Sequence, residues 1–178
     1  MLSRSAARAG ILVAAVGARD NTLPPSAHVI ARRPRKAWFM ANSYKTTRRI
    51  EFRDTDAAGM MHFSVFFIYM EEVEHELLRY LGLSVVLADE VGPISFPRVA
   101  ARCDYQRAVA FEDILDIEVA IVRLGKKSVT YEFNFSHAGR PVASGEITTV
   151  CCRMESDGTP KSILIPGWIS EKLSAAIP

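Results

Sequence analysis

Apolar residues recur at three- and four-residue intervals along one stretch of the chain: Phe66, Tyr69, Met70, Val73, Leu77, Tyr80 and Leu81. That spacing predicts a helix over about 64–81 with one apolar face. The opposite face carries Glu71, Glu72, Glu74, His75 and Arg79. Ser64 stands where an N-cap belongs, and Gly82 where a helix stops. The first turn, Val65-Phe66-Phe67-Ile68, is apolar nearly all round, so the N-terminal half of this helix should be enclosed by sheet.

Elsewhere the pattern is alternation. "YKTTRRIEF" (44–52) reads as a strand that runs into Arg53-Asp54-Thr55-Asp56, placing two acids at a strand end. Four more strands are expected in "ISFPRVAARCDYQ" (94–106), "DILDIEVAIVRLG" (113–125), "KSVTYEFNFSH" (127–137) and "PVASGEITTVCCRM" (141–154). Turn signals separate them at Gly125-Lys126, Ala138-Gly139-Arg140-Pro141 and Asp157-Gly158-Thr159-Pro160. A short helix is expected after Pro166. The order is strand, helix, then four strands, which is an α+β arrangement with one long central helix and a five-stranded sheet to wrap it.

Length and charge limit the rest. With 178 residues, 49% of them hydrophobic, the chain closes one sizeable core. The formal charge of +2 hides an uneven distribution. Arg4, Arg8, Arg19, Arg32, Arg33, Arg35 and Lys36 precede a body of mixed charge, which argues against a nucleic-acid-binding domain. Residues 1–42 therefore read as a disordered N-terminal extension and 43–178 as the globular domain. Within the extension, "GILVAAVGA" (10–18) has the outline of a short signal peptide, and the arginine-rich, acid-poor composition suits a transit peptide. A translation start at Met40 is the preferred reading. No stretch reaches the length of a membrane-spanning helix. Cys103, Cys151 and Cys152 lack zinc-ligand spacing, and reduced thiols of a cytoplasmic protein are expected.

The chemistry gathers between the first strand and the helix. "DTDAAG" (54–59) is a loop, with Gly59 free to take a positive φ. A helix start offers unpaired N–H groups and partial positive charge. Asp56 and the N–H groups near Phe63 and Ser64 could thus supply a nucleophile or base and an oxyanion site within one loop. The competing reading is that Asp54 and Asp56 only cap turns or the helix.

"RRIEFRDTDAAGMMHFSVFFIYMEEVEHELLRYLGLS" (48–84) resembles the 4-hydroxybenzoyl-CoA thioesterase family and the related acyl-CoA thioesterases of the Tol-Pal cluster type, which share the hotdog fold. Weaker similarity continues through "AFEDILDIEVAIVRLGKKSV" (110–129) to about Lys172. The resemblance implies a mainly antiparallel sheet and hydrolysis of acyl- or aroyl-CoA thioesters, with no metal and no cofactor. It implies that Asp56 is the catalytic carboxylate, as nucleophile or general base. It also implies that the Phe63 backbone N–H holds the thioester oxygen and that Gly59 allows close approach. Lys126, Lys127 and Ser128 match the positions that contact the nucleotide end of coenzyme A, and two cations on a turn suit phosphates. An ordinary solvated hairpin turn is the alternative.

Two departures bear on rate and substrate. Val65 stands where many relatives carry Asn, and His62 lies one residue before the position at which Tol-Pal-type members carry His, here Phe63. That histidine's role does not transfer to His62, which is either a substrate-contacting residue or faces outward. Glu71, Glu72 or Glu74 could replace Asp56, since some hotdog thioesterases use a helix acid, though a polar face or a subunit contact suits them better. A hotdog dehydratase or hydratase and a non-catalytic acyl-CoA binder are the competing functions. One sheet cannot cover the helix fully, so a homo-oligomer, dimer or tetramer, is expected, with Lys126 and Lys127 serving a partner's site.

Overall fold

A computed structural model describes residues 43–177, and the expectations for residues 1–42 lie outside it. The elements in chain order are β1 (Tyr44–Arg49), a 3-10 turn (Phe52–Asp54), α1 (Val65–Tyr80), β2 (Leu87–Asp89), β3 (Gly92–Ile94), β4 (Arg98–Tyr105), β5 (Ile114–Leu124), β6 (Ser128–His137), β7 (Arg140–Val150), β8 (Cys152–Met154), β9 (Pro160–Ser162) and α2 (Gly167–Ser174). The main sheet has the order β1-β5-β6-β7-β4, and every neighbouring pair is antiparallel. Two short ladders, β2–β3 and β8–β9, stand beside it.

Helix α1 spans 16 residues and buries Val65, Phe66, Tyr69, Met70, Val73 and Leu77, the face its periodicity marks out. Phe66 meets Phe135 of β6 and Tyr105 of β4 edge-on, each at 5.2 Å between ring centres. Side chains of this size each contribute roughly 1.5–3 kcal/mol on burial. At Gly145 of β7 a Cβ would drive into the Met70 sulfur and crowd the Arg102 carbonyl. The bare glycine leaves that space to the Met70 side chain.

The first turn of α1 is less enclosed than its composition implies: Val65 and Phe66 are buried, but Ile68 remains 51% exposed. The sheet thus covers one face of the helix rather than wrapping it. Ser64 sits in helical geometry and its side chain makes no capping bond; its hydroxyl turns to His62 Nδ1 instead, at 2.8 Å. The helix ends as expected, with the Gly82 N–H returning to the Arg79 carbonyl.

Glu74 departs from its expected place on the polar face. It is 3% exposed and packs inward against Arg98 at the start of β4. The first strand stops three residues early, because the Glu51 N–H turns to Asp54 Oδ2 and starts the 3-10 turn. The last expected strand is broken at Cys151, whose N–H donates to the Lys127 carbonyl while Cys152 pairs with Ser95. That bend buries both cysteines, Cys151 and Cys152.

Candidate active site

Residues 54–63 form a small hairpin that doubles back onto the start of α1. Thr55 bridges Met61, the Asp56 N–H donates to the Met60 carbonyl at 2.8 Å, and the His62 N–H donates to the Asp54 carbonyl at 2.8 Å. Gly59 closes the turn at φ +74, a conformation that costs an L-residue roughly 1–2 kcal/mol. The outer side of the hairpin is tied to the segment before β5, through a Met60–Ala110 bridge and a Met61 N–H bond to the Val109 carbonyl.

The two acids occupy different environments. Asp54 is 7% exposed, and its Oδ2 accepts hydrogen bonds from the Glu51 N–H at 2.9 Å and the Tyr69 hydroxyl at 2.8 Å. Burial, then the hydrogen bond to Asp54 and its charge, push the Tyr69 hydroxyl well above the usual phenol range. Asp56 is exposed, and its Oδ1 accepts from the Ala58 N–H at 2.8 Å and the Met60 N–H at 3.3 Å. Its Oδ2 accepts no hydrogen bond from the described residues.

Each acid engages one carboxylate oxygen in local hydrogen bonds, Asp54 in a buried setting and Asp56 in an exposed one. Asp56 keeps one oxygen open to solvent.

Phe63 lies next to the helix start. Its N–H has no protein acceptor among the described residues, its carbonyl accepts from the Tyr105 hydroxyl at 3.0 Å, and its ring is 60% exposed. The His62 ring packs on it with centres 4.5 Å apart. His62 Nδ1 faces Ser64 Oγ, which directs Nε2 away from the helix. One loop thus gathers Asp56, Gly59, His62 and Phe63, as the sequence indicates.

Lys126, Lys127 and Ser128 lie elsewhere. They follow β5, whereas the acidic hairpin packs before it, and β5 is 11 residues long. At about 3.3 Å per residue the two groups stand on the order of 30 Å apart in one chain. Lys126 is exposed, and Lys127 Nζ contacts the Ser162 carbonyl at 3.3 Å. Sequence reasoning did not give Tyr69 or Tyr105 a place at the loop; both sit in apolar or strand patterns in which a phenol hydroxyl is invisible.

One cleft among the described residues lies away from this loop, between α1 and α2, where Leu78, Leu83, Phe96 and Leu173 surround Glu74 and Tyr131. Among the described residues no three His, Cys, Asp or Glu side chains are grouped to hold a metal ion, and no helix is long and apolar enough to cross a membrane.

Comparison with known proteins bears on family and fold. A 1,4-dihydroxy-2-naphthoyl-CoA hydrolase of Synechococcus elongatus is 30% identical over 114 residues, covering 64% of this chain and 84% of that one. Among solved structures, a 1,4-dihydroxy-2-naphthoyl-CoA thioesterase from Synechocystis superposes with a TM-score of 0.66 at 21% identity, over 74% of this chain and 96% of that one. The 4-hydroxybenzoyl CoA thioesterase from Pseudomonas sp. strain CBS-3 gives 0.64 at 18% identity, over 74% and 99%. These likenesses give the fold as that of the hotdog thioesterases. The model of the thioesterase-like superfamily matches residues 50–173, and the chain belongs to that family.

Proposed function

We propose that the protein hydrolyses acyl- or aroyl-CoA thioesters, and that residues 43–178 are the thioesterase unit. The observation that carries this reading is the hairpin itself. An exposed Asp56 carboxylate with one open oxygen lies on a strand that returns directly to the Phe63 N–H at the helix start. Acyl transfer needs that combination, an attacking or proton-accepting group together with a donor for the oxyanion. Family membership, and relatives named for naphthoyl- and hydroxybenzoyl-CoA esters, support a thioester substrate and favour an aroyl group.

In the reaction, oxygen adds to the thioester carbonyl, the developing oxyanion takes the Phe63 N–H, and the C–S bond breaks to release coenzyme A. Asp56 acts in one of two ways: its Oδ2 removes a proton from the attacking water, or it attacks to form an anhydride that water then opens. Gly59 keeps the turn tight enough for the thioester to approach.

The site is completed by a second copy. Strand β4 is an edge strand exposed along nearly its whole length, with Val99 61% exposed and Ile68 of α1 and Phe63 also uncovered. Edges of this kind pair readily. Antiparallel pairing of two β4 strands about a two-fold axis turns one sheet end for end. The partner's Lys126 and the partner's Lys127 then lie at the end where this chain carries Asp56. Their turn stands three strands beyond the seam, roughly 15 Å from it at 4.7–4.9 Å per strand.

The test is coenzyme A release from a panel of acyl- and aroyl-CoA esters by the protein and by Asp56→Asn. Release by the parent, lost in a folded variant, supports the assignment. Saturable binding without release of coenzyme A overturns it.

A further inference from the structure

Tyr69 looks like an ordinary core residue: it is 6% exposed and sits one turn beyond Phe66 on the apolar face of α1. Its hydroxyl, however, reaches out of the core to the loop, 2.8 Å from Asp54 Oδ2 and 3.2 Å from the Arg49 carbonyl. The bond to the carboxylate is the shorter and the charge-assisted one. Asp54 in turn joins three pieces of chain. Oδ2 also holds the Glu51 N–H at the start of the 3-10 turn, and its carbonyl holds the His62 N–H of the returning strand.

The connectivity has a mechanical consequence. Asp56 is two residues beyond Asp54, and Phe63 is one residue beyond His62. The Tyr69–Asp54–His62 chain of hydrogen bonds therefore ties both reacting groups to one rigid helix, with only short backbone spans between. Without the Tyr69 hydroxyl, the Asp54 carboxylate would be buried with one donor fewer, and the hairpin would lose its side-chain tie to the buried face of α1.

We propose that Asp54 and Tyr69 are a positioning pair that sets the placement of the Asp56 carboxylate relative to the Phe63 N–H. This rests on the roles assigned to Asp56 and Phe63 above. Neither member of the pair touches the substrate; both act through the loop.

The test is Tyr69→Phe, which keeps the ring and removes the hydroxyl. Normalised to folded protein by near-ultraviolet circular dichroism, kcat falls by roughly 10- to 100-fold, the range expected for misplacement of about 1 Å, while KM changes little. In the Asp56→Asn background the same substitution produces no further loss, whereas damage to the fold in general would. Amide hydrogen exchange, which needs no activity, shows faster exchange in residues 55–63 and none in β5–β7. Asp54→Asn, which keeps shape and one acceptor, gives the same pattern as a second variant.

Unchanged loop exchange in Tyr69→Phe overturns the pair, as does undiminished kcat, or a loss that recurs in full without Asp56. Absence of thioester hydrolysis by the parent protein instead overturns the functional reading, and the exchange result then decides alone whether the pair holds the loop.

Discussion

Arg98 Nη2 stands 3.0 Å from Glu74 Oε2 and 3.1 Å from Glu71 Oε1, so one guanidinium of β4 holds two acids of α1, one buried and one at the surface. The buried member is the more consequential. Burial raises Glu74 to about 7 from its usual 4.5; the neighbouring Glu71 charge adds to that, and Arg98 opposes it without cancelling it. Tyr131 of β6 and His75 of α1 share the same cleft.

From that setting follows a pH dependence of stability. The folded chain holds the Glu74 proton more tightly than the unfolded chain, so the favourable contribution is complete below about 4.5 and is lost as pH rises through about 7. Stability falls between pH 5 and pH 8 by up to about 3 kcal/mol. Glu74→Gln removes this slope, since a neutral amide has no proton to lose. Urea denaturation at a series of pH values checks it; a slope unchanged in the variant assigns the titration elsewhere.

Gly59→Ala isolates the backbone of the hairpin. A Cβ there meets nothing within 4 Å, so any penalty comes from the positive φ and not from a clash. We expect a loss of roughly 1–2 kcal/mol in stability with kcat reduced, because the turn relaxes to a geometry that alanine tolerates. Melting curves and steady-state rates measured together would show it.

In the proposed site the lysine turn acts on affinity. Lys126→Ala with Lys127→Ala raises KM for CoA esters, leaves kcat within about twofold, and flattens the dependence of KM on salt. Mixing this variant with Asp56→Asn restores activity at low substrate if each site draws on two chains. Such mixed dimers hold one intact site, with Asp56 from one chain and both lysines from the other. Failure to restore activity, with mixed dimers demonstrated, places the lysines outside the site.

Val99→Glu probes the edge of the sheet. Val99 is 61% exposed on β4, and a charge on an edge strand disfavours pairing of that edge with another. Light scattering should give a dimer or tetramer mass for the parent and a monomer mass for the variant. Activity of the variant should fall even though Asp56 is untouched.

Periodicity carried the main elements because it reflects a local fact: which side of a helix or strand meets the core. Helix α1, the long strands of the sheet and the loop at Asp56 were legible for that reason, and so was the stop at Gly82. The short ladders β2–β3 and β8–β9 were not, since three-residue strands have too few positions to show alternation.

By itself, then, the sequence determined an α+β chain of the thioesterase-like family with its acids and glycine on one loop before a helix. Only the tertiary structure separated the two acids into a buried Asp54 and an open Asp56. Only the structure turned Glu74 inward onto Arg98 and tied Tyr69 to the loop. The physical reason is the same in each case. Hydrophobic pattern decides which face of an element is buried, but hydrogen bonds and ion pairs depend on which groups from distant segments arrive beside one another, and that is settled only when the sheet and helix pack.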